Sequence, residues 1–157
     1  MLKIIGKVLY KFDGSNRQVV RIEEYEKSLN LEAELFGIGR KVALDVLGRA
    51  GFKVWNFPAS CAEADRMRSA LEDRLFYALR DYMESLQEEE TRELPDLLAE
   101  KDNVLYVISL VLNQDVLPGP RMRVLSRARD FRLVPVLFRA AVEVSIPYSS
   151  LELLQKE

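Results

Sequence analysis

Residues 94–112 have the sequence Leu-Pro-Asp-Leu-Leu-Ala-Glu-Lys-Asp-Asn-Val-Leu-Tyr-Val-Ile-Ser-Leu-Val-Leu, a densely apolar stretch with a proline at its second position. Proline is favoured in the first turn of a helix, where its missing N–H is not needed. The apolar positions are Leu97, Leu98, Val104, Leu105, Ile108, Val111 and Leu112. This pattern predicts an amphipathic helix over 95–113, and its apolar density predicts that this is the most buried helix.

The preceding segment also has helical periodicity. Ser60 and Glu63 have the spacing of a capping box, in which each side chain satisfies a free backbone amide at a helix start. Apolar residues then recur at intervals of three and four, at Met67, Leu71, Leu75, Leu79, Tyr82, Met83 and Leu86. The spacing predicts one long amphipathic helix over 60–87.

The N-terminal part alternates apolar and polar residues with period two. Residues 2–12 and 17–25 are separated by turn-forming residues, so they are predicted to pair as an antiparallel hairpin. Residues 52–57 alternate in the same way before Pro58 and predict a third strand that joins the hairpin. The expected fold is a helix-dominated α+β domain with a small antiparallel N-terminal sheet.

The chain is expected to be one domain over 1–157. At 157 residues and 48% hydrophobic content it can build one core, and no stretch has the composition of a linker. The region 121–144 stays open, because 121–124 alternates like a strand while 131–142 fits a helix interrupted at Pro135. The topology of 121–157 is therefore not predicted.

Composition excludes several classes of site. The chain has no histidine and one cysteine, Cys61, so a disulfide within the chain is excluded and the commonest metal ligand and general base is missing. We expect no metal, no cofactor and no enzymatic activity. No apolar run approaches the about 20 residues of a membrane helix, and the N-terminus lacks a signal-peptide pattern, so a cytoplasmic protein without a membrane partner is predicted.

Residues 35–47 have the sequence Leu-Phe-Gly-Ile-Gly-Arg-Lys-Val-Ala-Leu-Asp-Val-Leu. This stretch resembles the helix-hairpin-helix motif of DNA repair and processing proteins, in which a Gly-hydrophobic-Gly turn joins two short helices. That family usually has proline where this chain has Phe36. The match is nearest to the motif of base-excision DNA glycosylases, but their catalytic activity is not carried over, because no counterpart of their catalytic aspartate loop is recognisable.

The resemblance implies a contact with a nucleic-acid phosphate. Gly37 and Gly39 would allow close approach of the backbone, amides near Arg40 and Lys41 would donate to the phosphate, and Ile38 would lie between the helices. Ala43 would be small because the two helices cross there.

Three C-terminal arginines, Arg121, Arg123 and Arg127, would add positive charge to such a contact, because phosphate neutralisation supplies most non-specific affinity. The predicted function is that of a non-catalytic DNA-associated protein.

Other interpretations of the same residues stay open. The glycines and basic residues of 35–47 also fit an ordinary helical hairpin with solvated charges. A sequence-reading helix-turn-helix would instead present Arg40, Lys41, Leu44 and Asp45 to the major groove. The main alternative is an assembly or regulatory subunit that binds a protein partner or a second copy through the helix at 67–86 or the arginine-rich C-terminal part.

Overall fold

Four strands in the middle and C-terminal parts of the chain form a mixed sheet, which an N-terminal hairpin extends to six strands. The structure, a computed structural model, describes residues 2–14, 17–29, 37–112 and 115–145. The strands are β1 (Leu2–Gly14), β2 (Arg17–Leu29), β3 (Lys53–Asn56), β4 (Leu97–Lys101), β5 (Val104–Leu112) and β6 (Val134–Ser145). The α-helices are α1 (Ile38–Arg49), α2 (Cys61–Asp65), α3 (Asp73–Glu84) and α4 (Gly119–Arg127), and 3₁₀ helices cover Glu88–Glu93 and Ala128–Phe131.

The strand order is β2-β1-β6-β5-β4-β3. Every neighbouring pair is antiparallel except β5 and β6, which run parallel. A parallel pair needs a crossover connection, and α4 with the following 3₁₀ helix supplies it. The sheet is therefore mixed, with one crossover unit between two antiparallel parts.

Helices cover both faces of the central strands. On one face α1 packs on the sheet in a buried cluster of Val42, Ala43, Val46, Leu47, Leu97, Ala99, Ile108, Val136 and Phe138. On the other face α2, α3 and α4 bury a larger cluster that includes Ala64, Leu75, Leu79, Tyr82, Leu98, Leu105, Val107, Val124 and Leu125. The result is a three-layer mixed α/β fold.

The predicted helix-dominated α+β fold class is wrong, and the largest error lies at 95–113. This segment is not a helix but the hairpin of β4 and β5. Asp102 and Asn103 form its two-residue turn with φ values of 53° and 62°. Two consecutive positive φ values match the twist of a tight hairpin, and Asn and Asp tolerate them better than most residues.

The helical periodicity of this segment has a simple physical origin. Strand β5 is covered on both faces, with Val107 in one cluster and its neighbour Ile108 in the other. A strand buried on both faces is apolar without alternation, and such a run resembles a buried helix in periodicity. The Asp-Asn turn at 102–103 was the feature that separates the two interpretations.

The prediction of one helix over 60–87 is also wrong. Ser60 does cap a helix start, since its Oγ accepts the Glu63 amide at 3.2 Å, but α2 ends at Asp65. Backbone bonds between residues three apart follow, such as Met67 to Ala64 and Ala70 to Met67, before α3 begins at Asp73. This tighter winding buries both Ala64 and Leu71 in one cluster. Among the helices in the described parts of the chain, none is long and apolar enough to cross a membrane.

The predicted third strand exists but has another partner. β3 pairs antiparallel with β4, at the opposite edge of the sheet from β2. The N-terminal hairpin corresponds to β1 and β2, and it joins the sheet through pairing of β1 with β6. In the region left open, 119–127 is helical and 134–145 is a strand.

Helix α1 ends at a glycine that the backbone requires. Gly51 has φ of +89°, and the Phe52 amide bonds back to the Leu47 carbonyl at 3.0 Å while the Gly51 amide bonds to Gly48 at 3.1 Å. This is the Schellman arrangement, which satisfies helix carbonyls that otherwise lack donors. Lys101 adds a bond from its Nζ to the Ala50 carbonyl at 2.7 Å.

Two glycine-to-alanine substitutions near this helix end should have opposite effects. Gly51→Ala should lower the free energy of unfolding by about 1 kcal/mol, because a Cβ disfavours positive φ. Gly48→Ala should raise it by roughly 0.5–1 kcal/mol, since Gly48 is helical and a Cβ there meets open space. Urea denaturation of both variants measures this, and an equal effect of the two would contradict it.

Candidate nucleic-acid interface

Two helices begin at the same end of the sheet, where β5 ends. The chain leaves β5 at Leu112 and enters α4 at Gly119. The start of α1 is also here, because a Cβ added at Gly39 would lie 3.1 Å from Leu112 Cδ1. In open α/β sheets, ligands bind outside the carboxyl ends of the parallel strands. This end of the sheet, where β5 ends and α1 and α4 begin, is therefore the candidate position for a ligand site.

The first turn of α1 contains most of the residues predicted to contact phosphate. Gly37 is the N-cap residue, and Ile38, Gly39, Arg40 and Lys41 follow in the helix. No side chain caps this helix and no acidic residue lies in its first turn. Free backbone amides and the positive end of the helix dipole favour an anion at such a position.

The first helix of the predicted helix-hairpin-helix motif precedes Gly37, and residues 30–36 lie outside the described residues. The two glycines have different surroundings, because Gly39 packs against Leu112 while a Cβ at Gly37 would meet nothing within 4 Å. Ala43 is fully buried between α1 and the sheet. Its small size thus serves close contact of α1 with the strands.

Arg40 reaches from α1 to the neighbouring strands. Its Nη1 donates to Asn56 Oδ1 at the end of β3, and it lies 3.5 Å from the Asp96 carbonyl oxygen just before β4. Lys41, the next residue, is exposed. The guanidinium of Arg40 is therefore fixed where β3 ends and β4 begins, while the ammonium of Lys41 is on the surface.

Arg121 reaches the same point from the opposite face. Its Nη2 donates to Asp96 Oδ1 and to the Leu94 carbonyl, both at 3.2 Å. The other carboxylate oxygen of Asp96 accepts the Leu110 amide at 2.7 Å. We call Arg40, Asn56, Asp96 and Arg121 the Asp96 cluster. In it the side chains of Arg40 and Arg121 reach the same residue, although α1 and α4 lie on opposite faces of the sheet.

The other two predicted arginines differ from each other. Arg123 is exposed on α4, two residues from Arg121. Arg127 lies at the last turn of α4, where both of its terminal nitrogens bond the Glu90 carboxylate, at 2.9 Å and 2.5 Å. The hydrogen bonds from Arg127 and from the Gln87 amide lower the pKa of Glu90. The positive charge of Arg127 is thus neutralised by its own chain.

Sequence reasoning missed the centre of the cluster. Asp96 was assigned to the first turn of a helix, although it lies before a strand and bonds two other elements. Ser109 was also missed; it is only 1% exposed, and its Oγ has no hydrogen-bond partner. A Pro-Asp pair before an apolar strand was the available signal for Asp96, whereas nothing in the sequence distinguishes Ser109.

A buried tyrosine fixes the position of α4. The Tyr82 hydroxyl donates to the Val124 carbonyl at 2.6 Å, and burial raises the pKa of Tyr82. The bond ties α3 to α4 and so holds Arg121 and Arg123 at the sheet edge. Within the described parts of the chain, no group of three or more acidic or cysteine residues could hold a metal ion.

The Glu90–Arg127 pair should make stability depend on pH. The folded pKa of Glu90 lies below its ordinary value, so the unfolded chain binds a proton at higher pH than the folded chain. The pair then stabilises the fold at neutral pH, and its contribution is lost as the pH falls through the lowered pKa. Glu90→Gln should therefore be less stable than the wild type at about pH 7 and should approach it toward about pH 3.

Urea denaturation over this pH range measures the difference. Glu88→Gln removes a charge of the same sign from the same 3₁₀ helix and leaves the Glu90–Arg127 ion pair in place, so it serves as the control. A gap between Glu90→Gln and wild type that does not change with pH would contradict the proposed contribution.

Comparison with protein-family models, with curated proteins and with solved structures finds no match to this chain. No relative supplies a substrate or a set of catalytic residues that could be transferred to it. The function of the chain therefore has to be inferred from the geometry and charge of its own residues.

Proposed function

We propose that this chain is a non-catalytic DNA-associated protein that contacts the sugar-phosphate backbone at the Asp96 cluster. The observation that carries the proposal is the meeting of Arg40 from α1 and Arg121 from α4 at Asp96, at the edge where both helices begin. A phosphate at the start of α1 would meet free amides, the helix dipole and neighbouring cations together.

The local charge supports this assignment. Arg40 and Lys41 lie on the first turn of α1, Arg121 and Arg123 lie near the start of α4, and Arg121 bonds the Asp96 carboxylate. Arg139 and Asp115 add one positive and one negative charge nearby. They are adjacent, because Arg139 Nη1 donates to the Asp115 carbonyl, which precedes α4, at 2.8 Å. The edge is thus cationic in a chain whose formal net charge is −2.

The same residues favour backbone contact over base reading. The inward residues of α1, Val42, Val46 and Leu47, are buried on the sheet, and Arg40 is bonded to Asn56. The outward face then offers Lys41, Leu44 and Asp45, and an aspartate repels the phosphates that flank a groove. A recognition helix needs several side chains that match base edges, so we rank a helix-turn-helix lower.

Aromatic residues next to the cluster are engaged in the core. Phe57, just beyond Asn56, is 8% exposed and packs edge-on to Tyr82 with 6.2 Å between ring centroids. Trp55 packs against the larger buried cluster. Binding of single strands commonly uses exposed aromatic side chains on which bases stack, so this edge suits phosphates better than unpaired bases.

The proposal includes no catalysis. Both carboxylate oxygens of Asp96 accept hydrogen bonds, one from Leu110 and one from Arg121, so Asp96 is held as a structural anion rather than as a base. The chain has no histidine to act as a general base. A cytoplasmic location, where nucleic acid is accessible and Cys61 stays reduced, is part of this proposal.

The second candidate is a protein-binding subunit. The apolar stripe of α3 that was predicted to bind a partner is buried core, so that route is closed for Leu75, Leu79 and Tyr82. Tyr77 instead is 50% exposed on the outer side of α3, with the Arg68 guanidinium 5.7 Å from its ring centroid. Surface hollows on both sides of Tyr77 make this the favoured place for a protein partner.

Charge reversal at Lys41 should weaken DNA binding. Lys41→Glu should reduce affinity for duplex DNA by about tenfold at low salt and lower the slope of log K against log salt by about one, because one phosphate contact is lost. Fluorescence anisotropy of labelled duplex at about 50 and about 200 mM salt measures both.

The matched control is Arg74→Glu, which makes the same change of charge. Arg74 donates to the Asn103 carbonyl at 3.0 Å, at the opposite end of β5 from Leu112. The affinity of the Arg74→Glu variant for duplex DNA should stay close to that of the wild type. Equal weakening in both variants would indicate a general charge effect, and no binding at low salt would leave the protein-binding subunit as the better account.

A further inference from the structure

Two arginines of α4 bond the same short stretch of the chain. At the last turn of α4, Arg127 bonds the Glu90 carboxylate through both of its terminal nitrogens. At the start of the helix, Arg121 bonds the Leu94 carbonyl and the Asp96 carboxylate, both at 3.2 Å. This stretch therefore runs along α4 in the direction opposite to the helix, and it places a carboxylate at each end.

The first part of the stretch belongs to the 3₁₀ helix Glu88–Glu93, which we call the acidic segment. Four of its six residues are glutamates, and none of the six is buried. Two hydrogen bonds hold Glu90 in place, because the Gln87 amide donates to Glu90 Oε1 and the Glu90 amide donates to the Gln87 carbonyl, both at 3.0 Å. The acidic segment thus adds no residue to the buried core, and it holds one carboxylate firmly against α4.

The charge of Glu90 also acts on a second arginine of the helix. Arg123 lies four residues before Arg127, so the two project from the same side of α4, about 6 Å apart along its axis. The hydrogen bond from Arg127 contributes most to the lowered pKa of Glu90, and the positive charge of Arg123 lowers it further. A Cβ built at Gly119 would lie 3.7 Å from Arg123 Nη1, so this guanidinium lies beside the start of α4.

We infer that the acidic segment limits DNA binding, because Glu90 occupies Arg127 where a DNA phosphate would otherwise bind. The inference rests on the proposed function and adds a regulation of the same site. A phosphate and a carboxylate both accept paired hydrogen bonds from a guanidinium, so they compete for Arg127. The Arg127 side chain is 31% exposed, which gives a phosphate access to it. Without the Glu90 carboxylate, the cationic surface would extend from Arg121 and Arg123 to the last turn of α4.

Glu90→Gln tests this inference. Glutamine also fits the capping box with Gln87, but it has no charge with which to hold Arg127. Affinity for labelled duplex DNA should rise by about three- to tenfold at about 50 mM salt, because one more phosphate contact forms. The slope of log K against log salt should steepen by about one for the same reason. Fluorescence anisotropy measures both quantities.

A double variant identifies the arginine that is released. Glu90→Gln combined with Arg127→Gln removes the carboxylate and the guanidinium together, so its affinity and salt slope should return to those of the wild type. The matched control is Glu88→Gln, which removes one negative charge from the acidic segment and leaves the Glu90–Arg127 ion pair in place. Its affinity should change by less than about twofold, because salt screens an exposed charge.

The outcomes separate this inference from the proposed function. Each variant is expected to fold, because the acidic segment contains no buried residue, and circular dichroism checks this. Equal affinities of Glu90→Gln and Glu88→Gln, or a double variant that binds as tightly as Glu90→Gln, would overturn the inference and leave the DNA contact of the wild type standing. Absence of binding in the wild type and in every variant would instead overturn the proposed function, and the inference with it.

Discussion

The Asp96 residue receives hydrogen bonds from four parts of the chain. Its carboxylate accepts the Leu110 amide of β5 and the Arg121 guanidinium of α4. Its carbonyl accepts the Phe57 amide at 3.1 Å and faces Arg40 of α1 at 3.5 Å. Its own amide donates to the Ile108 carbonyl at 2.8 Å. One residue thus connects the ends of three strands to the helices on both faces of the sheet.

This arrangement links fold and charge. A partly buried carboxylate is stable only when its oxygens are bonded, and both oxygens of Asp96 are. One of these bonds fixes Arg121 at the end of the sheet where both helices begin, and the Asp96 carbonyl faces Arg40 there. Removal of the carboxylate would free Arg121 and also break a connection between β4 and β5, so the cationic edge cannot be separated from the packing of the sheet.

The ends of helices could be predicted from the sequence, whereas the pairing of the strands could not. The cap at Ser60 and the helix end at Gly51 each depend on residues within four positions, so single residues identify them. The β4–β5 hairpin could not be recognised from periodicity, because burial of β5 on both faces removes alternation. The partner of β3 could not be predicted either, because pairing depends on tertiary order rather than on the strand itself.

The residues of the Asp96 cluster show the same difference between local and distant information. Gly37 to Lys41 were identified from a local motif, whereas Arg40 and Arg121 meet at Asp96, a residue 56 positions from Arg40, whose backbone carbonyl faces Arg40 and whose carboxylate bonds Arg121. Arg127 has the same residue type and lies on the same helix as Arg121, but it bonds Glu90. The number of arginines in a segment therefore overstates the positive charge available at the surface, because some arginines form ion pairs with acidic residues of distant segments.

The pairing of β1 with β6 also has a consequence for the order of folding. Lys3 is opposite Ser145, so the N-terminal hairpin finds its place in the sheet only after nearly the whole described chain exists. Contacts between such distant residues carry a large loop-closure entropy and slow folding. During synthesis, β1 would expose an unpaired edge on the ribosome until β6 emerges, and an unpaired strand edge in a nascent chain is prone to aggregation.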